Sequence, residues 1–152
     1  MLKLRIALIL LLSVLLAISV GCVKTTITDQ RLVDGVQKYL DTPADPNNPD
    51  LLTAEERSAV LSFEIYRNTV KIKLAEGTSD KLWKPIGTKI VKVFAKANRD
   101  MNLLSDSYLA ELYIPGTFKD KKMDNLYIGA IRLQNSSDRT FPELGLPRPK
   151  KF

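Results

Sequence analysis

Two kinds of residue decide what chemistry this 152-residue chain can do: its one cysteine, Cys22, and the histidine it lacks altogether. Without histidine there is no imidazole to act as a general base near neutral pH. A Ser-His-Asp triad is excluded, and so is His-liganded zinc or copper. A lone thiol can still attack a substrate, provided it stays free and ionises. Carboxylate, lysine, serine and tyrosine chemistry also stays open, but no spacing in the chain singles out such a site. We therefore expect no enzyme. Two further groups are candidates for binding. The oxygen ligands Asp45, Asn47 and Glu56 lie in one loop, and Lys71, Lys73, Lys92 and Lys96 stand at every second or fourth position around Trp83.

The position of Cys22 restricts its use. Lys3 and Arg5 precede an uncharged, predominantly apolar run from Ile6 to Val20, and Gly21 precedes the cysteine. A cationic start, an apolar middle and a small residue before the cut describe a secretory signal peptide over residues 1–21. The run has 15 residues, fewer than the ~20 of a spanning helix. Ser19-Val20-Gly21-Cys22 resembles the lipobox of bacterial lipoproteins. That resemblance covers residues 1–22 and implies a processing class. The Cys22 thiol would take a diacylglyceryl group, and the new N-terminus a further acyl chain such as palmitate. Ser19 stands where leucine is usual. More than one acyl chain makes a stable anchor. Val23-Lys24 lacks the aspartate that the family uses to stay in the inner membrane, which favours the outer membrane, facing the periplasm.

Removing residues 1–21 leaves 131 residues, one domain with a real core. Loss of Lys3 and Arg5 lowers the formal charge from +6 to +4. Such a domain suits an acidic protein, an acidic glycan or anionic lipid. Nucleic acid is not an expected partner of an exported, membrane-tethered protein. With Cys22 acylated, no disulfide is possible and thiol catalysis is lost too.

Asp45 to Glu56 spans twelve residues and resembles an EF-hand loop at positions one (Asp45), three (Asn47), eight (Leu52), nine (Thr53) and twelve (Glu56). The resemblance implies Ca²⁺ held by Asp45, Asn47 and Glu56. It fails at position five, where Pro49 offers no ligand, and at six, where Asp50 replaces the turn glycine. Thr53-Ala-Glu-Glu56 is equally a capping box, which needs no metal.

The elements that would position these groups follow from periodicity. Leu32, Val33, Val36, Tyr39 and Leu40 predict a helix capped by Asp29. Three prolines impose turns over residues 41–50. A second helix starts at Thr53, and residues 61–66 fit either its continuation or a strand. From residue 69 the period is two. Strands are predicted over Thr69–Leu74, Val91–Ala97, Tyr108–Ile114 and Leu126–Leu133, with Lys81, Trp83 and Lys84 in a loop. If the first two strands are neighbours, Lys71, Lys73, Lys92 and Lys96 form one basic face, with Trp83 as an aromatic contact beside it. Ordinary solvation and edge protection account for the same lysines.

The expected fold is α+β: a short N-terminal helical segment, then a small antiparallel β-sheet or β-sandwich. The expected layout is a lipidated tether over 22–30 and a single domain over 31–152. Within it 31–66 is mainly helical, 69–140 mainly β, and 141–152 an extended tail. A lipidated β domain with the late strand Leu126-Tyr-Ile-Gly-Ala-Ile131 also resembles the outer-membrane lipoprotein that anchors type VI secretion machines, although a helical N-terminal insert departs from that family. The expected role is binding or structural: a membrane-anchored envelope lipoprotein docking a protein partner or an envelope polymer.

Overall fold

The structure, a computed structural model, describes residues 29–144. Cys22, the signal peptide and the end of the tail lie outside these residues. Helix α1 runs over Gln30–Asp41. Asp29 caps it, accepting from the Arg31 amide at 3.0 Å, and Leu32, Val36 and Leu40, each four residues apart, are buried. Helix α2 is short, Ala54–Ala59. Both halves of its capping box form: the Glu56 amide donates to Thr53 Oγ1 at 3.1 Å and the Thr53 amide to Glu56 Oε2 at 2.8 Å.

Residues 61–66 resolve as strand. β1 is Val60–Tyr66, β2 Thr69–Leu74, β3 Ser107–Phe118, β4 Lys121–Gln134 and β5 Arg139–Leu144. They form one five-stranded sheet in the order β1-β2-β3-β4-β5. The expected α+β class holds, with a single sheet and one exception to antiparallel pairing. β2 and β3 are parallel, because a helix returns the chain between them.

That helix, α3, covers Asp80–Asp100 and overturns the strand expected over Val91–Ala97. The alternation of valine and alanine with lysine there is incidental. The stronger pattern has period four, with Ile86, Ile90, Phe94 and Asn98 buried and Gly87, Val91 and Ala95 buried beside them. Ser79 caps the start. Pro85 stands one turn in and forfeits a single hydrogen bond to the Lys81 carbonyl, near the exposed start. Asn102 at φ 57 ends the helix, with the Leu103 amide reaching back to the Asn98 carbonyl at 2.8 Å, a Schellman closure.

α1 and α3 pack side by side on one face of the sheet. Beneath them lie Val70, Ile72, Leu74, Tyr108, Ala110, Leu112, Ile131 and Leu133. Phe94 of α3 meets Tyr108 edge-on, ring centroids 5.9 Å apart. Close approach depends on Gly87, since a Cβ there would stand 2.6 Å from Ile131 Cγ1. α3 descends as β2 and β3 ascend, so the molecule has two ends. The start of α1, the β1–β2 turn, the loop after α3 and the β4–β5 turn share one. At the other, β3 and β4 run past their neighbours as a two-stranded ribbon: β2 pairs β3 only to Tyr113, and β5 pairs β4 only from Gly129. Lys119 and Asp120 turn the ribbon with φ 47 and 61.

Candidate functional site

No described element covers the second face of the sheet. Strand parity decides what stands there. Residues one out of step with the buried set line it: Lys71 and Lys73 from β2, Glu111 and Tyr113 from β3. Cross-strand register sets Glu64 opposite Lys71 and Lys71 opposite Glu111, and in the next row Ser62 opposite Lys73, Lys73 opposite Tyr113 and Tyr113 opposite Tyr127. The face is thus a row of alternating charge beside a row ending in two tyrosines. The Tyr113 and Tyr127 rings lie 5.6 Å apart at 60°. A shallow cleft of about 330 Å³ is lined by Ser62, Phe63, Glu64, Lys71, Lys73, Tyr113 and Asn125.

Tyr113 is held in place. Its hydroxyl donates to Glu111 Oε2 at 2.7 Å. Partial burial, then this carboxylate, push its pKa upward, so the phenol stays protonated and keeps its donor. Such a platform offers ring faces, one fixed hydroxyl and both charge signs.

The structure divides the expected basic face in two. Lys71 and Lys73 line the cleft on the open sheet face. Lys92 and Lys96 belong to helix α3, not to a strand, and stand on its outer surface beside Asp50, Lys89 and Arg99. The sheet itself lies between the two pairs. Trp83, expected in a loop, is on the first turns of α3. It packs against the core with Nε1 donating to the Thr78 carbonyl at 3.2 Å.

The Asp45–Glu56 loop is organised by turns and a cap. Asp45 Oδ1 accepts from the Asn47 amide at 2.9 Å. Glu56, 5% exposed, gives Oε2 both to the Thr53 amide and to Lys89 Nζ, each at 2.8 Å. Among the described residues no group of three or more Cys, Asp or Glu converges as a metal site, and no helix is long and apolar enough to cross a membrane.

Tyr113, Tyr127, Glu64 and Glu111 were not singled out from sequence. The signal for two of them was present: once Tyr108–Ile114 alternates with Tyr108, Ala110 and Leu112 inward, Glu111 and Tyr113 must point outward. No protein-family model, curated protein or solved structure matches the chain.

Proposed function

We propose that the chain is an envelope lipoprotein, held to the outer membrane on its periplasmic side by acylated Cys22, and that it docks a protein partner through the open face of its sheet. One observation carries the docking reading: a complete sheet face without a described covering layer presents Glu64, Lys71 and Glu111 in one row and the Tyr113–Tyr127 pair in the next. Alternating signs favour a protein over a uniformly anionic polymer, which would be repelled by Glu64 and Glu111 wherever it met them. Tyrosines supply contact area at small entropic loss. A lipid anchor concentrates the domain at the membrane surface, so a face of modest affinity suffices for a partner met there.

The test is photo-crosslinking in cells, with the crosslinking residue at position 127 and, as comparison, at position 92 on the opposite side. A discrete adduct from position 127 that disappears with Lys71→Glu/Lys73→Glu is the expected result. The same adducts from both positions, or none from 127, would sink the reading. Mass spectrometry of the N-terminal segment checks the anchor: an unmodified Cys22 thiol rules it out.

A further inference from the structure

The end of the domain from which the chain departs toward Cys22 has an unusual surface. A cleft of about 470 Å³ opens there, lined by Asp29 itself together with Leu32, Ile65, Leu103, Leu104 and Tyr108. Beside the polar Arg67, Asn68 and Ser105 of its lining, large apolar side chains are exposed there: Leu104 is 67% accessible, Leu103 43% and, on the neighbouring β1–β2 turn, Tyr66 49%. Arg67 lies over the Tyr66 ring at 5.3 Å from its centroid. At the same end Asp29 is neutralised by Arg31, bonded at 2.7 and 3.0 Å. Two exposed leucines and a tyrosine–guanidinium pair at one end have the composition of a membrane-interface contact. The leucines enter the headgroup boundary, while tyrosine and arginine bridge the apolar and wet layers.

The covalent chain says which end can reach a bilayer. Seven residue steps separate Cys22 from Asp29, a span of at most about 25 Å when fully extended. The ribbon tip at Phe118 is eleven residues up β3 from Ser107, roughly 35 Å along the strand. An anchor at Cys22 therefore keeps the Leu103–Leu104 end beside the membrane, and the tip is the part free to stay away from it.

We propose that this end docks on the bilayer surface, with Leu103 and Leu104 in the interface and Tyr66 and Arg67 at headgroup level, so that the domain stands upright with the open sheet face accessible along its side. The proposal rests on the lipid-anchor reading for its tether and is independent of what the sheet face binds.

The experiment uses the chain recovered from bacterial membranes and reconstituted into vesicles of phosphatidylethanolamine and phosphatidylglycerol with brominated acyl chains, which quench tryptophan at the interface. In a Trp83→Phe background, single tryptophans are placed as Leu104→Trp, Phe118→Trp and Lys92→Trp. Leu104→Trp is expected to lose about half or more of its emission relative to unbrominated vesicles, and the other two to keep theirs. Quenching of Lys92→Trp to the same degree means that the domain lies flat on the lysines of α3 and overturns the proposal, as does the absence of quenching at position 104. Hydrogen exchange on the unsubstituted chain gives the same answer without Trp83→Phe: residues 101–106 slow on vesicles while 118–121 do not, and equal rates in both overturn it. If mass spectrometry finds a free Cys22 thiol, the lipoprotein reading fails. The same variants are then coupled through that thiol to a maleimide lipid, which supplies the tether and tests the docking end by itself.

Discussion

The two faces of the sheet are built from the same strands and differ by one residue in phase. In β2 the residues under the helices are Val70, Ile72 and Leu74, all fully buried, and those between them are Lys71 and Lys73. In β3, Tyr108, Ala110 and Leu112 go inward while Glu111 and Tyr113 go outward. The covered face has one partner, α1 with α3, and its side chains are set by packing. The open face has no partner among the described elements, yet it is ordered: the Tyr113 hydroxyl is held by Glu111, and its ring by Tyr127. Buried apolar packing is thus concentrated on one face, and the charged and aromatic groups on which the proposed docking rests stand on the other. Substitutions one position apart should have consequences that differ several-fold.

The largest effect is expected beneath α3. Phe94 is fully buried against Tyr108. Phe94→Ala removes that ring and leaves a cavity, at a cost of about 3–5 kcal/mol, read as a lower urea midpoint with unchanged slope. A loss under about 1 kcal/mol would show that α3 does not seat on the sheet. Next comes the pair that ties α2 to α3. Glu56 and Lys89 side chains are 6% and 19% exposed, so Glu56→Gln leaves an ammonium group half-provided for. The expected loss is about 2 kcal/mol, below the range for fully buried pairs because Lys89 keeps some water and its bond to the Leu51 carbonyl. The same variant is the control for calcium: a calorimetric binding heat in the wild type that vanishes in Glu56→Gln would convert the cap into a ligand.

How much of this division can be read from sequence depends on where competing patterns coincide. α1 is legible because Asp29 and the Leu32, Val36, Leu40 series agree. β2 is legible because its alternation is bounded by turns. Segment 91–97 is not: valines and alanines at odd positions satisfy a strand and a helix alike. The deciding residues, Ile86, Ile90 and Asn98, lie outside that window, the last among turn-forming neighbours. β5 is hidden by Pro142, which an edge strand tolerates. For the candidate site, Lys71 and Lys73 could be found from phase alone. Their meeting with Glu64, Tyr113 and Tyr127 could not, since it depends on strand order, and misreading α3 placed Lys92 and Lys96 beside them.

A smaller effect tests how the helical layer is pinned. The Tyr39 hydroxyl on α1 donates to the Asp50 carbonyl at 2.5 Å. Burial, then the nearby Glu56 carboxylate, raise its pKa from 10.0 to about 12. A raised pKa means that the folded state holds the proton longer than the unfolded one. The contribution is therefore complete below pH 10 and is lost as pH rises from 10 to 12. Tyr39→Phe should cost about 1 kcal/mol at pH 8, and the difference from wild type should shrink steadily above pH 10. A difference independent of pH up to 12 would mean that the hydroxyl is not the pin.

The smallest stability effect, and the most decisive for the comparison, is expected one residue away from the core. Lys71 lies between Val70 and Ile72, and its side chain leaves the sheet on the opposite side. If the open face is a recognition surface rather than part of the core, Lys71→Ala changes the unfolding free energy by no more than about 0.5 kcal/mol, while Ile72→Ala costs about 2–5 kcal/mol. The crosslinked adduct from position 127 should respond in the opposite sense. It should weaken or vanish with Lys71→Ala at full folded stability, and it should persist with Ile72→Val, a core trim of about 1 kcal/mol. A Lys71→Ala protein as unstable as Ile72→Ala would show the two faces to be one cooperative core, with no surface left over for a partner.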